Sequence, residues 1–109
     1  MLVTTGNDIP GARITDFLGV VRGIVVRSPG IKQGFLGSFQ QMFGGNIEAY
    51  AEVCEQARND AFQRMVRHAQ EVGADAIIAM RYDATEFAQA TTEVLAYGTA
   101  VKLARIDKS

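Results

Sequence analysis

The sequence predicts an α+β domain in which one long amphipathic helix packs on an antiparallel sheet, with the elements in the order β-α-β-β. Three observations carry this. Residues 13–27 form a run rich in Ile, Val and Phe, residues 47–72 repeat small apolar side chains every three or four positions, and residues 91–106 alternate large and small apolar side chains. A chain of 109 residues with 48% hydrophobic and 21% charged composition has the balance of one folded domain spanning residues 1–109.

A short first strand is expected at residues 2–5, followed by turns at Gly6-Asn7-Asp8 and Pro10-Gly11. The long strand over residues 13–27 carries Gly19 and Gly23, which mark a bulge, a bend or a close backbone approach. Strict alternation places Ile14, Leu18, Val20, Ile24 and Val26 on one face, and Thr15, Phe17, Val21 and Val25 on the other. Both faces are apolar, so both are expected to be at least partly covered.

Ser28-Pro29-Gly30 breaks the strand. A short helix follows, with Phe35, Phe39, Met42 and Phe43 crowded on one side and Gly44-Gly45 as its exit. So many exposed aromatics on a small domain argue for a second surface, supplied by the subunit's own sheet or by another copy.

Asn46 is the expected N-cap of the long helix, Glu48 complements its dipole, and Gly73 terminates it. Its apolar stripe runs through Ile47, Tyr50, Ala51, Cys54, Ala57, Ala61, Met65, Ala69 and Val72. Much of that stripe is alanine, which permits close approach of a sheet. Residues 74–82 then form a strand, residues 83–90 a loose connection, and residues 91–106 the last strand. Of its two faces, the bulky set Leu95, Tyr97, Thr99, Val101 and Leu103 is expected beneath the helix. The small set Val94, Ala96, Gly98 and Ala100 is expected against another subunit.

Eleven Lys and Arg against twelve Asp and Glu leave no electrostatic footprint for nucleic acid or an anionic membrane. The longest apolar run is interrupted by Arg22, lacks a basic leader, and is too short to span a bilayer. A single Cys cannot close an internal disulfide. The expectation is a cytoplasmic chain with no nucleic-acid or membrane partner.

Five blocks, Gly19-Val20-Val21-Arg22-Gly23, the aromatic stretch with Gly44-Gly45, Ala57-Arg58, Gly73-Ala74-Asp75-Ala76 and Gly98-Thr99-Ala100-Val101-Lys102, occur in one order over nearly the whole chain. In that order the chain resembles the YbjQ-like family of small bacterial proteins, labelled heavy-metal-binding. The resemblance implies a dodecin-like β-α-β-β subunit assembled as a ring, with a homopentamer as the expected form. It implies no specific metal and no reaction.

The metal label meets a geometric test. Soft metals favour thiolate and imidazole, and Cys54 and His68 are the chain's sole representatives of each. Fourteen residues apart on one helix, they are separated by about 21 Å along its axis, beyond one coordination sphere. A heavy or divalent metal ion would therefore need residues from more than one subunit, or carboxylates. Cys54 is expected as a buried small hydrophobe and His68 at the stripe's edge.

Arg58 falls inside the apolar stripe, where a guanidinium needs an acceptor, with Glu93, Asp75, Asp16 or a neighbouring subunit as candidates. Asp75 is expected to accept hydrogen bonds around the Gly73 turn. Gly30, Gly34 and Gly37 lack the Lys and Ser/Thr of a phosphate-binding loop, and no Cys-His or Ser-His-Asp arrangement stands out. The leading expectation is a non-catalytic oligomer binding a small ligand or metal ion at subunit interfaces, with Phe35, Phe39, Met42, Phe43, Tyr50, Arg58, Asp75 and Glu93 as interface or ligand candidates. The alternatives are a metal storage or sensing protein and an enzyme with an active site between chains.

Overall fold

The computed structural model describes residues 1–27, 47–88 and 91–106. Strand β1 (Leu2–Val3) is followed by β2 (Ala12–Arg27), helix α1 (Ile47–Glu71), β3 (Ala76–Ala88) and β4 (Thr91–Arg105). The aromatic segment with Phe35, Phe39, Met42 and Phe43 lies outside the described residues, as does the Tyr50 side chain.

The strands form a four-stranded sheet in the order β1-β3-β4-β2. It is mixed rather than wholly antiparallel: β4 pairs antiparallel with β2 and β3, but β1 pairs parallel with the start of β3. β3 is also longer than expected. It continues to Ala88, so most of the expected loose connection is paired with β4, from Asp83 opposite Leu95 to Ala88 opposite Thr91.

α1 ends where the sequence placed its stop. The Gly73 amide donates to the Gln70 carbonyl at 3.1 Å, and the Ala74 amide to the Ala69 carbonyl at 3.0 Å, a Schellman turn. That turn requires a left-handed residue, and Gly73 supplies it with φ 81.

Ala57, Ala61, Met65 and Ala69 of α1 are buried against Val21 and Val25 of β2, Val94, Ala96 and Ala100 of β4, and Ile77 and Met80 of β3. The small face of β4 therefore lies under the helix, and the bulky face lies on the other side, the reverse of the expected assignment. The reason is steric. An alanine stripe lets the helix come so close that a Cβ on Gly23 would sit 2.7 Å from the Arg64 Cβ and closer still to backbone atoms of Ala61 and Met65. Bulky side chains beneath would hold the helix off.

The faces of β2 are corrected too. Register shifts between Ile14 and Asp16 and between Phe17 and Gly19 insert extra residues, with Gly19 at φ 101. Leu18 and Val21, three apart, consequently both pack with the helix-side core. On the other face a smaller cluster of Ile9, Ala76, Ile78 and Val101 is joined by Ile14 and Leu103. Ile9 comes from the N-terminal segment, which is tied to β3 by Ala79 N–H to Gly6 carbonyl (2.8 Å) and Met80 N–H to Thr4 carbonyl (3.0 Å).

Candidate functional site

Two surfaces collect the residues of interest, one on each side of the sheet. On the helix side, the guanidinium carbon of Arg58 lies 5.2 Å from the centroid of the Tyr82 ring. Both residues are exposed, so Arg58 does not sit in the core as the stripe suggested. With Glu55, Asn59 and Phe62 they line a shallow hollow of about 400 Å³.

The acceptors expected for Arg58 are elsewhere. Val94 packs under the helix, so Glu93 beside it in β4 points to the opposite face. Asp75 accepts the Leu103 amide at 2.9 Å, fastening the start of β3 to β4 rather than serving the Gly73 turn. Asp16 accepts the Thr15 hydroxyl at 3.0 Å. Among the described residues, Arg27 instead forms an ion pair with Asp60 at 2.9 Å.

Cys54 is exposed, not buried. The buried part of the stripe begins at Ala57, so the helix packs on the sheet from that turn onward, although β2 continues about 13 Å past Gly23 and β3 and β4 continue beside it. Ala51 and Cys54 continue the stripe in the two turns before Ala57, and both are exposed. His68 is half-buried at the edge of the stripe, as expected, and its Nδ1 accepts the Arg22 amide at 3.2 Å.

That contact belongs to a row no motif announced. β2 is an edge strand, and α1 runs antiparallel along it, so Asp60, Arg64 and His68, four residues apart, meet Arg27, Ile24 and Arg22 in turn. The Arg64 guanidinium donates to the Ile24 carbonyl at 2.9 Å. Side chains thereby satisfy edge groups that would otherwise template pairing with another chain. The i, i+4, i+8 spacing was visible in the sequence, but nothing there said which strand edge it would meet.

The second surface is the helix-free face of the sheet. Register puts Phe17, Val20, Arg22, Ile24 and Val26 of β2 on this face beside Thr99, Tyr97 and Leu95 of β4. Phe17 is 70% exposed, Val20 65% and Val26 53%. Arg22, Tyr97 and Arg81 form one row across it, with Asp83 and Glu93 closer to the β3–β4 connection. An apolar surface of this kind on a small domain is characteristic of an interaction face.

Among the described residues, no group of three or more His, Cys, Asp or Glu could hold a metal ion. No described helix is long and apolar enough to cross a membrane.

The architecture is thus a small α+β module with one sheet face under a helix and the other open. The chain belongs to the family described as "Putative heavy-metal-binding", whose YbjQ-type model matches residues 1–104. A UPF0145 protein of Legionella pneumophila is 58% identical over 101 residues, covering 93% of this chain and 96% of that one. A UPF0145 protein of Burkholderia thailandensis is 56% identical over 104 residues, covering 95% and 94%. A crystal structure of a protein of unknown function in the DUF74 family from Pediococcus pentosaceus shares the fold, with a TM-score of 0.60 at 21% identity over 95% of this chain and 98% of that one.

Proposed function

We propose that the protein is a non-catalytic homo-oligomer whose subunits meet through the helix-free sheet face and whose interfaces bind a small ligand or metal ion. The observation that carries this reading is the exposure of Phe17, Val20 and Val26 on a face that already shares a small core with the N-terminal segment. Exposed apolar area of that kind is stabilised by burial, at about 25 cal/mol per Å². The resemblance to YbjQ-like proteins makes a ring, and a pentamer in particular, the expected form. A cytoplasmic location accords with the lone cysteine.

Metal storage or sensing is the second reading, favoured by the family's description. Given the ligands among the described residues, such a site draws on more than one copy or on residues outside those described.

Native mass spectrometry with and without Cu, Zn or Ni separates these readings. A stable multimer is expected without metal. Stoichiometric, saturable uptake that disappears when the multimer is dissociated favours the metal reading. A monomer at micromolar concentration overturns the assembly reading, and no uptake of any of these metals overturns the metal reading.

A further inference from the structure

The chain carries two exposed apolar surfaces that cannot reach each other within one subunit. One is the start of α1, where Ala51 and Cys54 continue the sheet-facing stripe and are exposed. The other is the helix-free face around Val20, Ile24 and Tyr97. They lie on opposite sides of the sheet, and their charges are complementary. Glu52 and Glu55 flank Ala51 and Cys54, and both are exposed beside a shallow hollow formed with Ala51. On the sheet face, Arg22 and Arg81 flank Tyr97 in one row.

We propose that the exposed start of α1 in one copy docks on the helix-free sheet face of a second copy, with Ala51 and Cys54 on Val20, Ile24 and Tyr97 and with Glu52 and Glu55 beside Arg22 and Arg81. This rests on the assembly reading above and specifies its contact. Two different surfaces meet, so the interface is heterologous and repeats from copy to copy; a suitable rotation closes it into a ring. Asp83 and Glu93 sit on the same sheet face nearer the β3–β4 connection, and they repel the acidic helix start from that end, which sets the docking position toward the arginine row. Arg81 Nη1 donates to the Thr5 carbonyl at 2.9 Å, which holds the guanidinium in place at the end of the row.

Cys54 is the chain's one cysteine, which makes it a built-in probe. In a Val20→Cys variant, mild oxidation of the assembled protein is expected to give an inter-chain disulfide between Cys54 and the introduced thiol, identified by peptide mass mapping. Gln70→Cys, on an exposed side of α1, is expected to give no such link. Independently, Glu52→Arg with Glu55→Arg is expected to weaken assembly at least about tenfold, and adding Arg22→Glu to recover part of the loss. An assembled, folded Val20→Cys protein without the link, or a charge-reversed protein that assembles as wild type, overturns this docking mode and leaves the assembly reading standing. A monomeric wild type overturns both.

Discussion

Gly23→Ala tests the contact on which the fold depends most. An ordinary van der Waals contact begins near 3.4 Å, and the new Cβ would lie 2.7 Å from the Arg64 Cβ, a shortfall of 3.4 − 2.7 = 0.7 Å, with a larger one at the Ala61 and Met65 backbone. The obstructing atoms are helix backbone, so no rotamer change clears them. The helix must lift, and a gap of 0.5–1 Å forfeits about a quarter to a half of each dispersion contact along the Ala57, Ala61, Met65 and Ala69 stripe. Overpacking typically costs about 1–3 kcal/mol, and this site belongs at or above the upper end. That is a large part of the roughly 5–15 kcal/mol stabilising a domain. Urea denaturation followed by circular dichroism, at one fixed protein concentration because assembly shifts apparent stability, measures it. Gly6→Ala is the control, since its nearest neighbour would be the Thr4 Oγ1 at 3.5 Å. A Gly23→Ala protein within about 0.5 kcal/mol of wild type would refute the claim that helix and strand backbones touch here.

Ala79 holds a left-handed φ of 54 at the β3 bulge, so Ala79→Gly relieves about 1–2 kcal/mol of strain against about 0.4–1 kcal/mol of added unfolded-state entropy, and a small net rise in urea midpoint is expected. Arg64→Ala removes the donor to the Ile24 carbonyl; a loss of about 1–2 kcal/mol is expected, together with faster aggregation by light scattering as the β2 edge opens. Arg58→Ala removes an exposed cation–π contact with Tyr82 and is expected to cost no more than about 1 kcal/mol in the same denaturation assay. Val20→Asp places a charge on the open sheet face; chromatography with light scattering is expected to show loss of the multimer while the circular dichroism spectrum is kept.

Much of the fold was legible because it rests on local rules. The long helix and its stop at Gly73, the long second strand, and the significance of Gly19 and Gly23 all follow from periodicity and backbone freedom, and each is found in place. The site was less legible. Cys54 and Arg58 share the helical phase of the buried alanines, and phase alone cannot say that burial begins only at Ala57, or that Arg58 leans out over Tyr82. The Asp60, Arg64 and His68 row is regular in sequence, but its meaning depends on which strand lies at the sheet edge.

By itself the sequence determined which residues stand together on a face, where the helix stops, and that the chain carries more apolar surface than one small core absorbs. Only the tertiary structure decided which face of β4 is covered. Both of its faces are apolar, so alternation cannot choose between them, whereas contact can. The alanine stripe of α1 and the absent side chain at Gly23 draw the helix close enough to require Val94, Ala96 and Ala100 beneath it. That choice turns Tyr97, together with Val20 and Val26 of β2, outward to the surface on which the proposed assembly rests.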